Sequence, residues 1–178
     1  MRQRLRAATA TLHDQLDAAM GSMPVGNDAS FARFLTIQYA GRELLDAGFA
    51  EQKPDHIDVP PSQLELLDRD LASLGHKPIR IPGNASFTSP AAALGAAWVV
   101  SGSSMGNRAM LAQRRKHGLD HANAFLADSR MPTYFRTLLP VLAGEFDRFE
   151  QDQMIDGATL AFTVFLDVLA RSELKEAA

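Results

Sequence analysis

Apolar residues recur at three- and four-residue spacing along most of the chain, and no stretch alternates with the period of two that a half-buried strand requires. Leu5, Ala8, Leu12, Leu16 and Met20 share one face and predict a first helix from about Gln3 to Met20. Pro24 and Gly26 break the pattern. Asp28 or Ser30 is then placed to cap a second helix over Phe31 to Glu51, with Phe34, Leu35, Tyr39, Leu44 and Leu45 in its core. A proline-rich linker runs from Lys53 to Pro61. Ser62-Gln63-Leu64-Glu65 has capping-box spacing and opens a third helix, striped by Leu64, Leu67, Leu71 and Leu74 and ended by Gly75. The chain from His76 to Ser89 is irregular. Ser89-Pro90 reads as an N-cap followed by proline at the first helical position, beginning a long helix to about Lys116 that Gly118 stops. Further helices are expected over Asp120 to Ala127, Pro132 to Glu150 and Asp156 to Glu173. The expectation is an all-α, single-domain bundle of about seven helices over residues 1–178, with connections short enough to make sequence neighbours pack together.

The long helix carries an anomaly. Trp98-Val99-Val100 leads into Ser101-Gly102-Ser103-Ser104-Met105-Gly106-Asn107-Arg108. Each glycine in a helix interior costs roughly 1 kcal/mol relative to alanine. Serines in the same turn compete for backbone hydrogen bonds and bend the helix. Two explanations fit. Small residues let another helix pack closely, or the backbone itself lies against a large flat ligand. The second requires a ligand-binding residue on a different helix.

Composition narrows the chemistry. Of the 178 residues, 46% are hydrophobic and 22% charged, as in an ordinary globular domain. The net charge of −3 argues against nucleic-acid and membrane-surface binding. With no cysteine, disulfides, thiolate metal sites and cysteine nucleophiles are excluded, while imidazole and carboxylate chemistry stay open. No uninterrupted apolar run reaches the ~18 residues of a membrane span. The basic start, Met1-Arg2-Gln3-Arg4-Leu5-Arg6, leads into an amphipathic helix and not an apolar signal core, so a cytoplasmic protein is expected. There is no phosphate loop, nucleophile elbow or metalloprotease signature.

Among the five histidines, His56 and His76 fall in loops. His117 and His121 are four apart but separated by Gly118 at a helix end, which favours structural placement over a metal pair. His13 differs. It sits in mid-helix beside the apolar face, with Asp17 one turn later and Arg6 two turns earlier. A ligating imidazole commonly donates its second ring N–H to such a carboxylate. A guanidinium at Arg6 is placed for an anionic group on the same ligand. A partly buried histidine with a helix-surface ion pair is the alternative. Asp68 and Asp70 read as a solvated face, and Arg114-Arg115-Lys116 as cations favoured by a helix C-terminus. Tyr134 and Phe135 read as core aromatics beside an exposed Arg136.

Two separated motifs resemble a known family. Leu5-Arg6-Ala7-Ala8-Thr9 through His13 to Asp17 resembles the proximal helix of haem oxygenases. Gly102-Ser103-Ser104-Met105-Gly106 with Arg108 resembles the distal helix of the bacterial, bacteriophytochrome-associated branch. Leu67 to Gly75 and a final helix bearing Ala158 and Phe162 fit the same order, so the resemblance spans nearly the whole chain.

The resemblance implies a haem-oxygenase-like fold with haem between the first helix and a kinked distal helix. It implies His13 as iron ligand, Asp17 as its hydrogen-bond partner, and Arg6 and Arg136 as propionate contacts. Gly102 and Gly106 would clear the distal face, and Ser103 and Asn107 would serve the bound dioxygen and its water. The implied reaction cleaves haem with O2 and reductant to biliverdin, carbon monoxide and ferrous iron. The implied partners are an electron donor (a ferredoxin or reductase) and a bacteriophytochrome receiving biliverdin; iron acquisition is the other role that fits. The chain departs from the bacterial pattern in carrying Trp98 for tyrosine, Ser101 for glutamate and Met105 for leucine. Ser103 replaces the aspartate of the animal branch, and Asn107 a small residue. These changes leave open a haem-binding or carrier protein without turnover, and a helical enzyme that acts on a small metabolite without haem.

Overall fold

The computed structural model describes residues 1–21 and 23–176, and side chains through Ser172. Among the described residues it is all-helical, as expected. The helices are α1 (Arg2–Gly21), α2 (Asp28–Glu51), α3 (Leu64–Ser73), α4 (Pro90–Gly102), α5 (Asn107–Lys116), α6 (Ala124–Ala127), α7 (Arg130–Val141) and α8 (Arg148–Glu176). A 3-10 turn, Ser103–Gly106, joins α4 to α5, so the predicted long helix is broken at its glycines.

Local chemistry explains where the other boundaries fall. Asn27, not Asp28 or Ser30, caps α2: its Oδ1 accepts from the Ser30 N–H at 2.8 Å. Ser89 caps α4 as expected, accepting from the Ala92 N–H at 3.1 Å with Pro90 in the first turn. The capping box expected at Ser62 does not form, because the Ser62 hydroxyl donates to Asp46 at 2.6 Å and α3 begins at Leu64. The helix predicted over Pro132 to Glu150 ends at Val141, one residue after Pro140. A different capping box then starts α8 eight residues earlier than expected. The Asp147 N–H donates to Glu150 and the Glu150 N–H donates to Asp147, both at 2.8 Å.

The core is built around α8, which packs against α1, α2 and α4. The closest approach is to α4, whose alanine-rich face (Ala92, Ala93, Ala96, Ala97) is almost wholly buried. A Cβ on Gly95 would overlap the Met154 carbonyl, and one on Gly157 would overlap the Ala92 carbonyl. The two backbones therefore touch, and only glycine fits on either side. By length and composition Arg148–Ser172 could cross a membrane, with a mean hydropathy of 1.4, but half of that window is buried inside the bundle. Its apolar residues are accounted for by this packing.

Three charged residues turn inward, and for two of them, Asp70 and Arg114, the sequence suggests solvent. Asp70 is buried, and its carboxylate accepts from the N–H groups of Ala124 (3.0 Å) and Phe125 (2.8 Å), so it holds the start of α6; Asp68 is exposed. Arg114 is fully buried instead of facing the solvent at a helix end, although Arg115 and Lys116 do so. Its guanidinium stacks 3.8 Å over the Phe31 ring and donates to Asn123, to the Val25 and His121 carbonyls and to Asp28. It thereby fastens the α1–α2 loop to α5 and α6. Arg42 is the third and belongs to the site below.

Burial pushes the Asp28 carboxyl up, but the hydrogen bonds from Arg114 and His121 outweigh it and hold the group below its ordinary 3.8. A carboxylate with a depressed folded value contributes stability that is complete above its unfolded value and is lost as pH falls through the folded one. Asp28→Asn should therefore be less stable than the parent at neutral pH, by a margin that shrinks towards zero at strongly acid pH. Urea unfolding between pH 7 and pH 2 checks this, and a margin independent of pH would contradict it.

Candidate functional site

A cleft of about 620 Å³ opens between the C-terminal half of α1 and the 102–107 segment. Phe34 and Gln38 of α2 and Phe162 and Phe165 of α8 form its inner wall. His13, Asp17, Gly102, Ser103, Gly106 and Asn107 all line it, so the structure brings the two sequence motifs face to face.

His13 is held from both sides. Its Nδ1 lies 3.3 Å from Asp17 Oδ2, one turn along α1, and its ring meets Phe162 edge-on at 5.9 Å between centroids. With Nδ1 turned to the carboxylate, Nε2 is the nitrogen left for a ligand. Among the described residues no three His, Asp or Glu side chains converge as a metal site. An ion at His13 would have to bring its other ligands with it, as iron in a macrocycle does.

The facing wall is shaped by its serines. Ser101 donates to the Ala97 carbonyl (2.6 Å), Ser103 to the Val100 carbonyl (2.8 Å) and Ser104 to the Ser101 carbonyl (2.6 Å). This back-bonding competes with the helical ladder and accompanies the 3-10 turn. The two glycines are not there for helix packing. A Cβ on Gly102 would meet nothing closer than the Phe135 ring at 3.6 Å, and one on Gly106 nothing closer than the end of Met110 at 3.9 Å. At Gly95 and Gly157, by contrast, backbone fills the space. The close-packing explanation therefore holds for α4 against α8 and fails for the 102–107 segment.

Behind this wall lies a cation that sequence reasoning missed. Arg42 is buried on α2; its Nη2 donates to Ser103 Oγ at 3.0 Å and its Nε to Gln38 at 3.3 Å, and it sits 5.2 Å from the Phe125 centroid. Burial lowers its guanidinium to about 10 against the opposing charges of Asp46 and Asp128, so it stays protonated at neutral pH. Nothing near Arg42 in sequence signals this, since Ser103 is 61 residues away. The Ser103 hydroxyl is thus already a donor to Val100 and an acceptor from Arg42. Asn107 is different: it is buried, and its amide Nδ2 has no hydrogen-bond partner.

Arg6 and Arg136 are exposed and do not line the cleft; Arg136 donates to Thr133 at 3.1 Å. His56, His76, His117 and His121 are all exposed, and His121 Nε2 lies 3.0 Å from Asp28.

No protein-family model matches the chain, and no curated protein does. A solved structure does: the haem oxygenase of Neisseria meningitidis, in its NO- and CO-bound crystal forms. The two superpose with a TM-score of 0.71 at 21% identity, over 95% of this chain and 89% of that one. The chain has a haem oxygenase fold. The all-α bundle expected from the sequence is that of this neighbour.

The two classes of glycine should respond oppositely to alanine. Gly95→Ala should lose about 3 kcal/mol or more, because the new methyl overlaps a carbonyl in a packed core. Gly102→Ala should fall within about 1 kcal/mol of the parent, on the stabilising side. Thermal unfolding of the ligand-free protein measures both; a large loss at Gly102 would mean that the wall is packed after all.

Proposed function

We propose that the chain binds haem in this cleft through His13 and cleaves it with dioxygen and reductant to biliverdin, carbon monoxide and ferrous iron. The observation that carries this reading is the juxtaposition of an imidazole whose Nε2 is turned away from Asp17 and a facing helix segment whose glycines no neighbouring backbone crowds. The haem oxygenase fold supports it, and the cleft volume lies in the range of cofactor sites. Bound haem supplies the dioxygen chemistry, because it is both the group that activates oxygen and the group that is cleaved.

The chain's own residues position and select. Asp17 accepts from Nδ1–H of His13, which fixes the tautomer and presents Nε2 as a neutral ligand. Gly102 and Gly106 keep the opposite face clear of side chains. The Asn107 amide, buried without a partner, is the donor available for a distal water or a bound oxygen. Ser103 has its proton committed to Val100, so its role is to carry the influence of Arg42, whose positive charge stands behind the distal wall. Arg6 and Arg136 are the propionate contacts in this reading, acting from outside the cleft. The electron donor is a ferredoxin or a reductase, the setting is the cytoplasm, and a bacteriophytochrome is the proposed recipient of biliverdin.

A second reading, a haem-binding or carrier protein without turnover, is favoured by one observation: the Ser101 and Ser103 hydroxyl protons are bonded to backbone carbonyls. Aerobic incubation of the haem-loaded protein with a reductant separates the two. Decay of the Soret band with growth of a biliverdin spectrum is the expected outcome, whereas a stable oxygen complex assigns the carrier role. Gly102→Leu should fold normally and lower dioxygen affinity by at least about tenfold, corresponding to a steric cost near 1.4 kcal/mol; unchanged oxygen binding would remove the distal wall from the account.

A further inference from the structure

We infer that the chain has a second ligand site, on the flank of α2 away from the His13 cleft, for an amphipathic carboxylate. A cavity of about 760 Å³, larger than that cleft and sharing no residue with it, lies between α2, the 76–82 segment and the C-terminal part of α8. Its floor is apolar: Ala32, Ile37, Ala40 and Val168 are buried there. Ile79, one of the few large hydrophobic residues left exposed, and Ile81 continue the apolar surface along the loop wall. Ile79 keeps apolar surface in water at the mouth of this hollow, and covering such surface favours binding by ~25 cal/mol per Å².

Among the described residues the charged lining has one sign: Arg33, His76, Arg80 and Arg171 border the cavity, with Arg33 and Arg80 already engaged by other groups, and no described Asp or Glu lines it, in a chain whose net charge is −3. Arg80 is steadied by Glu43 at 3.3 Å from the far side. Arg171 is exposed, and no hydrogen bond or ion pair engages it among the described residues. Arginine forks match carboxylates bidentately, and an apolar floor with a basic rim fits an anionic head on an apolar body. A phosphate-rich ligand fits less well, since no glycine-rich loop lines these walls and Ala29 alone of the described lining residues lies in the first turn of a helix. The Pro82 nitrogen likewise cannot donate.

Laurate is a suitable probe, titrated calorimetrically into the full chain below its micellar range. Saturable one-to-one binding is expected. Arg171→Glu, at an exposed position, should weaken it by about tenfold or more with an unchanged circular dichroism spectrum, and Arg171→Lys should restore part of the loss. Dodecyltrimethylammonium, with the same chain and the opposite charge, should not bind. Gly102→Leu, which fills the other cleft, should leave laurate affinity unchanged whether or not that cleft takes haem. Absence of saturable binding, equal affinity in Arg171→Glu, or loss of binding in Gly102→Leu would each overturn the assignment.

Discussion

The contact between the backbones of α4 and α8 sets the geometry of everything else. Gly95 lies against the Met154 carbonyl and Gly157 against the Ala92 carbonyl, so neither helix can shift without separating two polar backbones that are already buried. That contact fixes the direction in which α4 delivers residues 102–107. The same α8 packs against α1 and supplies Phe162, whose ring meets His13. One helix therefore positions both walls of the cleft, and the distance between imidazole and distal segment is a property of the core.

Against this rigid frame the distal segment is deliberately weak. Three serines bond back to carbonyls, the ladder tightens to a 3-10 turn, and two glycines leave the backbone bare. Such a segment persists because its surroundings hold it: Arg42 grips Ser103 from α2, and Asn107 is buried at the start of α5. The weakness lies where a flat ligand and a diatomic gas need room. Arg114 plays the corresponding role at the other edge, where its bond to the Val25 carbonyl holds the loop that closes the cleft beside α1.

What could be read from the sequence follows from the range of the interactions. The pairing of His13 with Asp17 is a one-turn relation on a single helix, so spacing alone suggests it. The glycine and serine cluster is equally local, and the helix caps at Ser89 and the glycine breaks follow short-range rules. The buried polar residues do not. Arg114 meets Asp28 across 86 residues, Arg42 meets Ser103 across 61 and Asp70 meets Phe125 across 55, and a charged residue shows no local sign of whether a distant partner awaits it. The early start of α8 has a local sign, the reciprocal Asp147–Glu150 box, masked by an apolar periodicity that runs on past Val141. The resemblance to haem oxygenases anticipated the fold and the facing of the two motifs, whereas Arg6 and Arg136 stand outside the cleft that the motifs enclose.

The central claim is that His13 presents an imidazole to haem iron within this cleft. Optical titration of ferric haem into the parent and into His13→Ala tests it most directly, with circular dichroism to confirm that both fold. The account predicts saturable one-to-one binding and an imidazole-ligated spectrum for the parent, with that spectrum lost in the variant. Equal affinity and an identical spectrum in His13→Ala would contradict it.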